Sequence, residues 1–436
     1  MNFESIFIFF IYQLFQLLVF PFFLLYLFIR KLQGKSVVGN FWHRNGFVPI
    51  VDKQRIINKK VVWIHAVSVG EILSVQDLIK QLKIKNKNII CYVTTGTEMG
   101  KKIAHQNLDA DFISFLPYDF LFSMFLAFKR IKPSSLIIIE AEIWPNMLML
   151  SKWFNIFTYL LNARISKRSK NKYLMLKFIF KPLFSIFKFI FIQSKSDKIN
   201  FEKMNIKEEK LQVLGNIKTL NVLKKKEELI EKHSEYLTRP KYPTLLVGSI
   251  HPEEIDIYLE LFKNLKPNFP ELKLILAPRH FFWKEELIKK IDDKFLLWDE
   301  KLKLDFKLLA QNIFDKYEIL LVFKLGELFK LYQLCNIFYL GGTFVPIGGH
   351  NLLEPAVWAK VSIIGPYYHN CKDIADRLEN QNALLKIKSK NDLIKQTIFL
   401  LNNKKLSEQM GENALNWLES ESLKVQKKIN YLLDLL

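Results

Sequence analysis

The chain has 436 residues, half of them hydrophobic and 38 of them phenylalanine, enough apolar material for two cores of about 200 residues each with a surplus for a membrane. Lysine and arginine outnumber aspartate and glutamate by 64 to 43, and the resulting formal charge of +21 calls for an anionic partner: nucleic acid, an anionic membrane or a phosphorylated substrate. Cys91, Cys335 and Cys371 are scattered and in no metal-ligand spacing, which gives no support for a disulfide framework or a zinc site and fits a reducing compartment.

Residues 5–29, SIFIFFIYQLFQLLVFPFFLLYLFI, carry no charge and are long enough to cross a hydrocarbon core, which needs about 20 helical residues. The start MNFE lacks a basic n-region and no small-x-small cleavage site follows, so the segment reads as an anchor and not a cleaved signal. Arg30, Lys31 and Lys35 come after it, whereas only the amino terminus and Glu4 precede it, which puts the body of the protein on the cytoplasmic side. Gln13, Gln16 and Pro21 leave open a kinked or interfacial helix in place of a full span.

After the anchor, VVWIH (61–65) and IICYVTT (89–95) read as short buried strands flanking an apolar-periodic helix from about residue 71 to 83. SLIIIEAEIWPN (135–146) adds a strand and then a helix, and IFTYLLNARIS (156–166) begins with another strand. This alternation predicts a parallel sheet covered by helices. The pattern stops near VLGNIK (213–218), and the charged run 224–243, ending in two prolines, reads as a helix and linker. A second series follows in TLLVGSIHPEE (244–254), ELKLILAPRH (271–280), ILLVF (319–323) and NIFYLGGTF (336–344). Two doubly wound units are the simplest reading, with ligands at the carboxyl ends of their strands. Neither GxGxxG after the first strand nor GxxxxGK[ST] occurs, so dehydrogenase and P-loop readings lose their main support.

Several groups at these strand ends carry chemical potential. In WIHAVSVGE (63–71), Glu71 is either a first-turn acid favoured by the helix dipole or the base of an enzyme. Glu140 and Glu142 in EAEIWPN stand at i and i+2 on one face, where one carboxylate raises the pKa of the other or stabilises a developing cation, unless both are merely solvated. Arg279 after LKLILA could clamp a phosphate, and Lys218 in GNIK has the same capacity; a plain surface role competes for each. In GGTFVPIGGHNLLEPA (341–356), paired glycine turns let backbone N–H groups approach a phosphate. The competing reading there is a capping box of Asn351 and Glu354, which Pro355 weakens because proline has no N–H to give the first helical bond. Glu354 is then available to ribose hydroxyls.

From Ile143 through Ser196 there is no acid, and SKRSKNKYLMLKFIFKPLFSIFKFIF (166–191) interleaves lysines with aromatic residues as membrane-interface helices do. No recognition motif accompanies the charge, so nucleic acid is not the expected partner. The eight histidines form no HxxxH or HExxH, and a catalytic metal has no sequence support.

WIHAVSVGE, TTGTEMG, EAEIWPN, NARIS, GSIHPEE, APRH and GGTFVPIGGHNLLEPA, in this order between about residue 60 and 360, closely resemble the Kdo transferases, which move 3-deoxy-D-manno-octulosonic acid from CMP-Kdo to the lipid A precursor. The resemblance implies an α/β fold of the GT-B class, two Rossmann-like domains facing each other across a cleft, with an N-terminal membrane-anchor helix. It implies an anchor over 1–35, an acceptor domain over 36–220, a linker over 221–243 and a CMP-Kdo-binding domain over 244–436. It implies that Glu71 is the general base, that Glu140 and Lys218 stabilise the transition state, and that CMP is held by Pro278, Arg279, Leu325, Gly326, Glu327, Asn351, Leu352, Leu353 and Glu354. No cofactor or metal is implied. The partners implied are CMP-Kdo, the lipid A precursor and anionic lipids of the bacterial inner membrane, with the catalytic domains on the cytoplasmic side. The chain departs from the family at Ala141 (usually Thr), Ile250 (usually Thr), Phe281 and Phe282 (often Pro-Glu), and in a short Thr run before Gly96, which puts fine contacts and substrate tolerance in question. A GT-B enzyme using a UDP-sugar, or a non-catalytic membrane-surface nucleotide binder, would share architecture, anchor and glycines.

Overall fold

A computed structural model describes residues 3–32, 40–52, 57–140, 142–165, 167–232, 241–291, 294–302 and 313–436. Lys35, Ala141 and residues 233–240 of the expected linker lie outside the described residues. The chain divides into two compact units, residues 1–221 with 422–436, and residues 222–421.

The first unit is built on a seven-stranded parallel sheet in the order β3-β2-β1-β4-β5-β6-β7. Its strands are β1 (Lys60–His65), β2 (Ile89–Thr95), β3 (Phe112–Phe115), β4 (Ser135–Ile139), β5 (Phe157–Ala163), β6 (Phe189–Ile192) and β7 (Leu211–Val213). Their near-continuous apolar runs suit strands covered on both faces: β2 and β4 are buried at every position. The chain leaves β1 toward β2 and later returns to place β4 on the other side of β1, so the sheet's switch point lies between β1 and β4.

The second unit repeats the plan with the order β10-β11-β9-β8-β12-β13-β14. Here β8 is Thr244–Ile250, β9 Lys273–Pro278, β10 Phe295–Asp299, β11 Ile319–Phe323, β12 Ile337–Leu340, β13 Val361–Ile364 and β14 Leu384–Lys386. Its switch point falls between β8 and β12. Every strand pairing described in both sheets is parallel.

The second domain does not run to the carboxyl terminus as the sequence suggests. The helix Lys404–Leu435 gives Ala414 and Leu418 to the core of the second unit, but Val425, Ile429 and Leu432 to a core with β1, β2 and β4 residues of the first. Lys60 Nζ donates to the Leu436 carbonyl at 2.8 Å, tying the end of the chain to the start of β1. The charged run begins in a helix as expected, Lys218–Lys232, and that helix puts Val222 into the second core.

The amino-terminal helix Phe3–Leu32 contains a stretch, Ile6–Ile29, long and apolar enough to cross a membrane. One side of it docks on the first unit through its few polar residues. Tyr12 Oη donates to Asp119 Oδ2 at 3.0 Å, Gln16 Nε2 to the Asp119 carbonyl at 2.6 Å, and Gln13 Nε2 to Asn146 Oδ1 at 2.6 Å. Burial pushes the Asp119 carboxyl up to about 7 against the pull of the Asn146 and Met147 N–H groups. The opposite side, including Phe10, Leu14, Leu17, Leu18 and Phe22, is exposed.

The basic aromatic run 166–191 is not one interfacial helix. It forms the helices Lys167–Met175 and Lys177–Phe184 and then enters β6, and Leu183, Phe184 and Phe187 are core residues. Met175 and Phe178 remain exposed, at 72% and 66%.

Candidate active site

At the carboxyl end of β1 the chain turns through Val67 and Ser68 into the helix Val69–Ser74, with Ser68 as its cap and Glu71 in its first turn. TTGTEMG supports this turn: Thr95 Oγ1 and the Gly96 N–H both donate to the Val67 carbonyl, at 2.9 and 3.2 Å. Glu71 is buried, its Oε2 accepting the Val67 N–H at 2.7 Å and its Oε1 the Ser68 hydroxyl at 2.9 Å. It is therefore a helix-opening acid after all. Yet its pKa stands above the ordinary glutamate value, because burial and the nearby Glu140 charge outweigh the Val67 and Ser68 hydrogen bonds and the attraction of Lys218. The helix dipole alone would make it a weaker base; its surroundings reverse that.

Glu140 sits just past β4, across the switch point from Glu71. It has a left-handed backbone (φ 61°), a conformation that costs a non-glycine residue about 1 kcal/mol. Its carboxylate pairs with Lys218 Nζ at 3.0 Å, both groups partly exposed. NARIS and GNIK meet to place that lysine: Asn162 Oδ1 accepts the Ile217 N–H at 3.3 Å, and Asn216 Oδ1 accepts the Lys218 N–H at 3.0 Å. Glu142 is raised by burial and then by Glu71. The first unit thus gathers Glu71, Glu140, Glu142 and Lys218 at one strand-end cluster.

In the second unit the remaining sequence candidates stand at the carboxyl edge of the sheet. Pro278 ends β9, and the Arg279 N–H donates to the Ile250 carbonyl at 3.1 Å while its side chain is exposed. Leu325 and Gly326 follow β11; Leu325 is 82% exposed, and Gly326 has a φ of +86° with open space where a Cβ would stand. Glu327 is held 3.0 Å from Lys330. Asn351 is not the cap of the next helix, Leu353–Val357. Its Oδ1 accepts the Leu353 N–H at 2.9 Å in a tight local turn, and Glu354 pairs with Lys225 at 3.2 Å instead of closing a capping box. Leu352 and Leu353 put their side chains into the core, so they can offer a ligand only backbone groups.

Sequence reasoning missed the group that builds this edge. Glu254, fully buried, accepts the N–H groups of Gly342 at 2.6 Å, Thr343 at 3.0 Å, Phe344 at 2.8 Å and His251 at 3.3 Å. One carboxylate thereby ties the loop after β8 to the glycine loop after β12, on either side of the switch point. Burial raises its pKa despite these four donors. Gly341 passes so close that a Cβ would lie 2.3 Å from the Ser249 carbonyl oxygen, which is why no larger residue fits there. The only prior signal was the HPEE sequence itself. No group of three or more His, Cys, Asp or Glu side chains among the described residues could hold a metal ion.

Two doubly wound parallel units with acidic and basic residues at their switch points define a GT-B fold. The chain superposes on a glycosyltransferase from Rickettsia africae with a TM-score of 0.55 at 14% identity, over 86% of this chain and 98% of that one. Residues 40–221 match the family described as 3-deoxy-D-manno-octulosonic-acid transferase (kdotransferase). The chain is 30% identical to a 3-deoxy-D-manno-octulosonic acid transferase of Rickettsia bellii over 94% of its own length and 95% of the relative's. It is also 31% identical to a bifunctional glycosyltransferase/methyltransferase of Fusobacterium nucleatum, over 84% of this chain but only 58% of that longer protein. The protein belongs to the 3-deoxy-D-manno-octulosonic acid transferase family and is a glycosyltransferase.

Proposed function

We propose that this protein transfers Kdo from CMP-Kdo to the lipid A precursor, with inversion at the anomeric carbon, in lipopolysaccharide synthesis. The observation that carries this reading is the buried Glu71 carboxylate, basic beyond an ordinary glutamate, at the switch point it shares with the Glu140–Lys218 pair. An acceptor hydroxyl attacks the anomeric carbon while Glu71 takes its proton. Glu140 lends negative charge to the cation-like sugar carbon, and Lys218 balances it. CMP leaves as a monophosphate, whose growing charge suits Arg279 and the N–H groups of the glycine loop. Leu325–Glu327 and Asn351–Glu354 complete the proposed nucleotide contacts with Pro278.

The pH dependence tests this assignment. A base must be ionised to act, so kcat/KM rises with pH through the pKa of Glu71, and this acid limb is expected above the usual glutamate range. Glu140→Gln removes a charge that raises the Glu71 pKa and frees Lys218, so the limb should move to lower pH even as the rate falls. A limb that stays in place contradicts the pairing of roles.

We further propose that the amino-terminal helix anchors the catalytic units at the cytoplasmic face of the inner membrane, lying in the interface with its exposed side among acyl chains. Its docking through Tyr12, Gln13 and Gln16 on the folded body supports this over a full span. Met175 and Phe178, with Lys177 and Lys181, would extend the contact to anionic lipid. Replacing Leu14 and Leu18, 47% and 73% exposed, by Asp should cut partition into anionic vesicles by about 10²-fold or more. Unchanged co-sedimentation would exclude this face.

A further inference from the structure

Beside Arg279 the second unit collects aromatic and imidazole rings whose polar atoms are only half used. His251 is 8% exposed, and its ring lies 5.0 Å from Trp283 and 6.0 Å from His350, with the two imidazoles nearly parallel at 9°. His280 packs on the same Trp283 at 4.9 Å. Both His251 Nε2 and His350 Nε2 are buried and have no hydrogen-bond partner among the described residues. Leaving such atoms unpaired costs about 1–3 kcal/mol each, so two together on adjoining loops need a reason.

The loops themselves supply one. His251 and Glu254 are tied to each other over the turn Pro252–Glu254: Glu254 Oε2 accepts the His251 N–H at 3.3 Å and the His251 carbonyl accepts the Glu254 N–H at 3.0 Å, and neither bond uses the imidazole. A neutral imidazole with its proton on Nε2 presents that nitrogen as a donor. Burial keeps both rings neutral, with Arg279 adding to the effect at each and His350 pushed down to about 4. A neutral ring still donates one N–H, and it does so without adding a competing charge beside Arg279. The glycine loop, pinned by Glu254, fixes where His350 stands relative to His251.

We propose that His251 and His350 form a donor pair for an anionic oxygen of the nucleotide-sugar, next to Arg279, and so act as positioning groups for the donor substrate. This rests on the nucleotide-sugar reading given above. Two oxygens of such a donor have the right chemistry, the phosphate and the sugar carboxylate, and both would accept N–H groups in the same way.

The test is calorimetric titration of the full chain in detergent with cytidine, CMP, CMP-Kdo and UMP, for wild type, His251→Leu, His251→Gln and His350→Leu. Each Leu variant should weaken binding of the anion-bearing ligands by about 10- to 100-fold while leaving cytidine unchanged. His251→Gln, which keeps an N–H donor at similar reach, should recover most of the loss. The melting temperatures without nucleotide should match wild type. A loss seen with CMP and CMP-Kdo alike identifies the phosphate, and a loss confined to CMP-Kdo identifies the carboxylate. Equal losses for cytidine and CMP, failure of Gln to rescue, or unchanged affinity throughout would overturn the pair. A wild type that prefers UMP would contradict the CMP-Kdo reading while the Leu and Gln variants still test the pair on UMP, and a wild type that binds no nucleotide contradicts both.

Discussion

Glu71→Gln should lower the rate of sugar transfer by about 10²- to 10⁴-fold while leaving nucleotide affinity at the wild-type level. The substitution is nearly isosteric, and the amide oxygen can still accept the Val67 N–H or the Ser68 hydroxyl that the carboxylate now holds. Loss of the cap alone would therefore show as a stability change of about 1 kcal/mol, with the rate spared. The two roles of Glu71 thus predict different observables. A large fall in kcat with an unmoved melting temperature identifies the base; a small loss of stability with normal turnover leaves only the cap.

Glu254→Ala should be more damaging to the fold than any change at the nucleotide contacts themselves. It leaves the N–H groups of His251, Gly342 and Thr343, all on buried residues, and of the partly buried Phe344 without their acceptor. Each unpaired buried donor costs about 1–3 kcal/mol, and even partial relaxation leaves a loss of about 3 kcal/mol or more. Denaturant unfolding of the purified variant measures it. Nucleotide affinity should fall in parallel, because the glycine loop loses the group that sets its shape. Wild-type stability in Glu254→Ala would mean that the loop holds its conformation without the carboxylate.

Strand positions were the most legible feature of the sequence. Apolar runs bounded by polar or glycine residues mark β1, β2, β4, β5, β8, β9, β11 and β12, and these include the strands that flank both switch points. β3, β6, β7, β10, β13 and β14 escaped because runs of three to five residues carry no period that separates a strand from a buried helix segment; β4, β11 and β12 are as short and stood out only through the residues that bound them. In the basic run 166–191, lysines among aromatics read as a lipid-facing helix, while the fold spends Leu183, Phe184 and Phe187 on the core. The last helix illustrates a different limit: its amphipathic pattern says that one side is buried, but nothing local says which of two cores receives it.

The candidate site was legible where its groups lie within one motif and opaque where they are held by pairing between distant loops. Glu71, Glu140 and Lys218 were all named from their motifs, and the structure adds that Asn162 and Asn216 deliver the lysine to the carboxylate. The conflict over Asn351 and Glu354 could not be decided locally. Pro355 did weaken the capping box as argued, and the outcome was a tight Asn351 turn with Glu354 drawn to Lys225. Nothing in the sequence singled out Glu254, because three of its four partners come from residues 342–344 and no spacing rule connects these to it.

The central claim is best tested by incubating the purified full-length protein with CMP-Kdo and tetraacylated lipid A precursor and weighing the lipid products. The account predicts a mass gain of one or more whole Kdo residues per acceptor, abolished in Glu71→Gln, with the number of additions read from the same spectrum. An acceptor of unchanged mass, under conditions where CMP-Kdo binds, would contradict it.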